Sequence, residues 1–448
     1  MANKTEKIQL IQSYLNDQRS KNNIPVIEER NCTFLFIGNH TTVLVAGDFN
    51  GWTGEPLLRI NDTELWYLTK SFPLDARLDY KFVIDGTWTL DPENDQLIMG
   101  GYGNNNEIVM PNYHPDPAIN HYDNITHGTI KLIRNFYSSA FENYRNIQVY
   151  LPPNYNPNSS KTYPSLYVTD GFEYVDLAKF ANVFDYLLFH DLVREAIIIF
   201  IPPYPGERNN EYFYDKNTFL DFLTLEVLPY IDKNYRTSQN RSERGMMGAS
   251  LGGYISFFVG FNRENLFGLI ASQSGYFPYD LIFTLGSRVP DTKFYFDIGT
   301  FEKSIAGGTD LYTLNKEMNK TMTEKKYSFL YQEINEGHSW GNWRAHLDDI
   351  LIYLLPHVDT PQNTSLSSNT NDLTSVTSSI ISTPSSGSTE NNITSHETSR
   401  ITSYDTFNKK TNTVSSTQPT NQSTVFPFFL GILAIFVFYL FRRKRFNI

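Results

Sequence analysis

The chain has 448 residues and a mass of 51.7 kDa, with 37 Lys and Arg against 48 Asp and Glu and a formal charge of -11. An acidic balance lacks the basic face that nucleic-acid binding requires. The single cysteine, Cys32, excludes an internal disulfide framework and a Cys-based zinc site. A 40% hydrophobic and 15% aromatic content supports a real core, and the length suits two or three domains rather than one.

In chain order, residues 1–30 form an N-terminal segment, helical or disordered, without the apolar stretch of a secretory signal. Residues 31–112 predict short strands at 33–37, 42–46, 66–69 and 79–84, with turns at Asp48-Phe49-Asn50-Gly51 and Asp85-Gly86. This is the pattern of a small, immunoglobulin-like β-sandwich. A linker follows at 113–126.

From 127 to 357 the pattern changes. Apolar strands are predicted at 147–151, 165–169, 196–201, 244–248, 268–271, 293–298 and 328–334. Helices are predicted between and after them at 174–187, 216–234, 251–261, 309–321 and 343–355. Apolar strands alternating with helices predict a mostly parallel sheet covered on both faces, an α/β class domain. Residues 358–424 predict a Ser/Thr-rich stalk, since 31 of the 64 residues from 361 to 424 are Ser or Thr.

Then comes an uncharged run, 425–441, long enough as a helix to span roughly 25 Å. It reads as a transmembrane helix, or alternatively as a buried core helix. Arg442-Arg443-Lys444-Arg445 favours the first reading and predicts a basic cytoplasmic tail, 442–448, with the catalytic part outside the membrane. Eleven N-x-S/T sequons, such as Asn124-Ile125-Thr126 and Asn392-Ile393-Thr394, lean the same way towards a glycoprotein.

The chemistry is predicted to centre on Gly248-Ala249-Ser250-Leu251-Gly252, a G-x-S-x-G between a strand and a helix. A nucleophilic serine on so tight a turn needs small neighbours, and the helix start favours developing negative charge. A serine hydroxyl needs a base. His338 is the one histidine both downstream of Ser250 and at a strand end, whereas His346 falls inside the last predicted helix. The base needs an acid. Glu302, just past the strand 293–298, is favoured over Asp310 and Asp297. Two backbone N–H groups would hold the oxyanion, those of Leu251 and Phe172. The order Ser, acid, His is that of α/β-hydrolases. No metal or organic cofactor is required.

Several motifs in order carry a family resemblance: Arg208-Asn209-Asn210-Glu211-Tyr212, Leu228-Pro229, Gly248 to Gly253, Ser272-Gln273-Ser274-Gly275, and Gly337-His338 with Trp343. Across about 127–356 the chain resembles the esterase D-like esterases, and among them the enterochelin (ferric siderophore) esterases. The resemblance implies carboxylic ester hydrolysis, with Ser250, His338 and Glu302 at the triad positions. It also implies that Arg208 and Glu211 either contact substrate or brace a loop.

Residues 31–112 resemble the glycogen-binding type of carbohydrate-binding module through Gly47-Asp48-Phe49-Asn50-Gly51-Trp52, Tyr80-Lys81-Phe82 and Gly86-Thr87-Trp88. That implies sugar contacts at Trp52, Lys81, Trp88 and Asn105, although Trp52 also reads as sandwich packing. The expectation is a membrane-anchored serine esterase acting through an acyl-enzyme on a small-molecule or sugar-linked ester, with its triad facing outward. Acyl transfer to a sugar, or glycan binding by an inactive hydrolase, are the alternatives. Pro203, Tyr204, Tyr212 and Phe213 suggest an aromatic-lined pocket.

Overall fold

The computed structural model describes residues 4–286, 291–305 and 308–357. The predicted stalk (358–424), transmembrane helix (425–441) and basic tail (442–448) lie outside these, as does the Asn392 sequon. Among the described residues no helix is long and apolar enough to cross a membrane.

The α/β domain is built on one eight-stranded sheet: β1 (Thr129–Ser138), β2 (Asn143–Leu151), β3 (Ser165–Thr169), β4 (Ile197–Ile201), β5 (Arg244–Ala249), β6 (Leu269–Gln273), β7 (Lys293–Gly299) and β8 (Phe329–Ile334). Their spatial order is β1-β2-β4-β3-β5-β6-β7-β8. Only β1–β2 and β2–β4 pair antiparallel, and every later pair is parallel. Parallel strands must be covered on both faces, and β4 shows how the sequence meets that need. Ile197, Ile199 and Ile201 point into one core with Phe219, Phe222 and Phe257. Ile198 and Phe200 point into the other with Phe180, Phe184 and Leu351. Alternation along a strand thus needs apolar residues at every position.

The predicted strands recur within a few residues, but two helices do not. The predicted helix 174–187 divides into Gly171–Asp176 and Phe180–Phe189 because Lys179 takes a left-handed conformation, φ 54°. The predicted helix 343–355 divides into Trp340–Ala345 and Leu347–Leu354, with His346 at the junction rather than inside a helix. There the imidazole Nε2 bonds Glu336 at 2.9 Å. β1 is absent from the sequence expectation. As an edge strand it keeps most of its residues exposed and carries no continuous apolar run.

Ahead of this domain lies a β-rich module. One antiparallel sheet runs Val26–Glu28, Asn31–Ile37, Leu65–Ser71, Leu58–Arg59. The other runs Glu55–Pro56, Val43–Gly47, Arg77–Ile84, Gly103–Val109, Leu97–Gly100, with Thr87–Thr89 also paired to Arg77–Ile84. Phe34, Phe36 and Trp66 from the first sheet meet Val45, Leu78, Tyr80, Phe82 and Ile108 from the second in one core. Phe301 of the α/β domain packs against the same core. The N-terminal segment contains a helix, Lys4–Ser20, docked through Leu15 beside Val26, Leu35 and Leu65.

Phe257, on the helix that follows β5, is fully buried and meets the rings of Phe277, Phe294 and Phe296 at 4.8, 5.3 and 5.7 Å. Phe257→Ala leaves a cavity that close-packed neighbours cannot fill. We expect a loss of about 3–5 kcal/mol in urea-unfolding free energy, and a loss below about 1 kcal/mol would show that the site collapses.

Candidate active site

Ser250 sits between β5 and the helix Leu251–Asn262 at φ 59°, ψ -120°, a conformation that costs a non-glycine residue energy. Its surroundings impose that turn. Ser250 N–H donates to Gln273 O at 2.8 Å, and Ser250 O accepts from Tyr254 N–H and Tyr276 N–H, both at 3.1 Å. The elbow leaves no room for a side chain at Gly248 or Gly253. A Cβ on Gly248 would stand 1.9 Å from Thr169 Oγ1, and one on Gly253 2.1 Å from Ser272 Oγ.

His338 lies on the loop after β8. Its Nδ1 is 2.7 Å from Glu302 Oε2 and its Nε2 is 3.1 Å from Ser250 Oγ. A carboxylate only accepts, so the Nδ1 carries the proton and Nε2 accepts from the serine hydroxyl. Glu302 is buried, with 1% exposure. Its other oxygen, Oε1, accepts from Ser274 Oγ–H at 2.6 Å and Gly299 N–H at 2.9 Å. Ser274 Oγ in turn accepts from the Trp343 indole N–H at 2.9 Å, and the Trp343 ring meets the imidazole edge to face at 5.0 Å. Serine, histidine and glutamate therefore form one hydrogen-bonded run, backed by Ser274 and Trp343. The sequence motifs contain both backing residues, but spacing alone gives neither a role.

The other acid candidates point elsewhere. Asp310 caps the helix Leu311–Glu324 by accepting from Thr313 N–H. Asp297 Oδ1 accepts from Ser274 N–H at 3.1 Å. Leu251 opens the helix after Ser250, and Phe172 is the second residue of Gly171–Asp176. First-turn N–H groups have no acceptor within their own helix.

Arg208 grips Asp170 through Nε–Oδ1 at 2.6 Å and Nη2–Oδ2 at 2.7 Å, and Nη2 also donates to Ala249 O at 3.2 Å. It thus ties the loop after β3 to the elbow. Glu211 is buried and takes both terminal nitrogens of Arg145, at 3.0 and 2.9 Å. The pair ties Glu211's loop to β2. Tyr212 is fully buried, and its hydroxyl accepts from Asp170 N–H at 3.0 Å, so it packs behind the site instead of lining it. The rings of Phe213, Tyr254 and Tyr276 do cluster, and both tyrosines bond Ser250 O through their backbone N–H groups. Among the described residues no group of His, Cys, Asp and Glu could hold a metal ion.

In the module, the Trp52 and Trp88 rings stand 6.2 Å apart, inclined by 37°, and Trp88 is half-exposed. Trp52 Nε1–H donates to Asp48 and Asn105 Nδ2–H to Asp79. Lys81 is partly buried, and that burial lowers its pKa.

Residues 138–354 match the family described as "Putative esterase". The uncharacterized protein YjcH of Bacillus subtilis is 26% identical over 233 residues, 50% of this chain and 96% of that protein. The endo-1,4-beta-xylanase/feruloyl esterase of Xylanibacter ruminicola is 25% identical over 318 residues, 66% of this chain and 41% of that protein. Among solved structures, the ferric enterobactin esterase of Salmonella typhimurium aligns with a TM-score of 0.63 at 18% identity, covering 76% of this chain and 98% of that one, a likeness of fold.

Burial pushes the Asp297 carboxyl up to about 7 from 3.8, and its Oδ2 has no hydrogen-bond partner. A carboxyl that stays protonated in the folded state lends stability in full below about pH 4 and loses it as pH rises through about 7. Asp297→Asn is neutral in both states. Its melting temperature is expected to gain on the wild type by several degrees between about pH 4 and pH 8. A constant difference across that range would show that Asp297 is ionised in the fold.

Proposed function

Residues 138–354 match the esterase family and fold as an α/β domain, and from that premise we propose that the protein is a carboxylic ester hydrolase working through an acyl-enzyme on Ser250. The observation that carries this reading is the run from Ser250 Oγ through His338 to Glu302, at 3.1 and 2.7 Å. Ser250 Oγ attacks the ester carbonyl while His338 Nε2 takes its proton. The imidazolium keeps its Nδ1–H on Glu302, whose charge stabilises it. The Leu251 and Phe172 N–H groups receive the oxyanion. His338 then protonates the departing alcohol and later activates the water that frees the acid. Phe213 and Tyr276, both partly exposed, offer apolar surface for the ester's acyl part, and a small-molecule or sugar-linked ester fits this reading.

The same proposal places the enzyme on a membrane with the catalytic domain outside, on the strength of the apolar run 425–441 and the basic residues after it. A second reading concerns the module. Trp52 and Trp88, side by side, favour stacking on a saccharide, with Lys81 and Asn105 as polar contacts.

A serine-directed fluorophosphonate is expected to label the wild type and not Ser250→Ala. Glu302→Gln is expected to lower kcat on the order of 10³- to 10⁴-fold. Absence of labelling in folded wild type would overturn the esterase mechanism. For the module, insoluble glucan is expected to retain the wild type and release Trp88→Ala. Equal retention of the two would remove the saccharide reading.

A further inference from the structure

The loop that carries His338 is not held by the hydrolase domain alone. Arg77, on the module strand Arg77–Ile84, is 2% exposed. Its Nε donates to Glu107 at 2.6 Å and its Nη2 to Asp79 at 2.6 Å, so two module carboxylates fix the guanidinium in place. The third nitrogen, Nη1, crosses to the hydrolase. It donates to Glu336 Oε2 at 3.3 Å and Ser339 Oγ at 3.2 Å, residues on either side of His338. The Arg77 backbone N–H donates to Asn335 O at 3.2 Å, and Asn335 Nδ2 donates to Asp75 at 2.9 Å.

Shape reinforces charge. A Cβ on Gly337 would stand 2.1 Å from Asp48 Cγ, and one on Gly341 2.1 Å from Arg77 Nη2. The acid's loop is gripped as well. Phe301, next to Glu302, meets Phe72 edge to face at 6.0 Å, and its N–H donates to Glu336 O at 3.2 Å.

We propose that Arg77 is a positioning residue for the base: with Asp48 it clamps segment 335–339 so that the His338 imidazole meets Ser250 and Glu302 together. This rests on the triad reading above. The module is then a working part of the catalytic centre. One of its charged residues sets where the proton acceptor comes to rest, through a contact with Glu336 that spans 259 positions of the chain.

The test uses the full chain with p-nitrophenyl acetate as substrate, comparing wild type, Arg77→Gln and Arg77→Lys, each with its melting curve. Arg77→Gln is expected to lower kcat roughly ten- to a hundredfold, the cost of a small misplacement of a catalytic group. KM should stay within about twofold, because the ester's own contacts are untouched. Arg77→Lys, which keeps the charge, is expected to recover part of kcat. A role confined to stability would instead lower the melting temperature and leave kcat of the folded protein unchanged, and that result would overturn the proposal. If Arg77→Gln gives no cooperative melt, Glu336→Gln removes the same contact from the other side and is read in the same way. Turnover that survives Ser250→Ala refutes the triad reading. Turnover that needs Ser250 but ignores Arg77 refutes only the clamp.

Discussion

The arrangement turns on one buried carboxylate. Glu302 is withdrawn from water, and an ion so placed costs several kcal/mol unless donors surround it. Three do: the Nδ1–H of His338, the hydroxyl of Ser274 and the backbone N–H of Gly299. Ser274 follows β6, Gly299 ends β7, and His338 follows β8. These three strands are neighbours and run parallel, so their carboxyl ends come flush at one edge of the sheet. The sheet order is therefore a condition for satisfying that charge. The satisfied charge in turn fixes the imidazole's tautomer and its aim at Ser250.

The hydrolase strands are legible in the sequence because burial on both faces leaves an unbroken apolar run, as in β4. The elbow is legible because its constraint is local: only small residues fit at Gly248 and Gly253. Which carboxylate meets His338 is less so. Asp297, Glu302 and Asp310 lie close together in the chain, and what separates them is the direction of each side chain, which spacing does not encode. The edge strand β1 and the module strand Gly103–Val109, with its three asparagines, lack an apolar signature and escape notice. Tyr212 shows the opposite error, where an aromatic residue in a promising loop belongs to the core. Contacts between distant segments, such as Arg77 with Glu336, leave no trace in either local pattern.

The module and the hydrolase also differ in how their charges are placed. The Arg145–Glu211 pair and the Arg244–Asp232 pair each join segments within the hydrolase. Arg77 alone among these buried arginines reaches from one domain to the other. Its two module partners keep it compensated whether or not Glu336 is present, so the module does not depend on the hydrolase to neutralise it.

That independence has a consequence for the order of assembly. A ribosome delivers the module first, and its arginine can settle between Asp79 and Glu107 while the hydrolase is still being made. Segment 335–339 emerges only after every strand of the sheet. Ser250, His338 and Glu302 therefore cannot meet until the last strand of the sheet has been made, so their alignment is a late step of synthesis rather than one that grows with the chain.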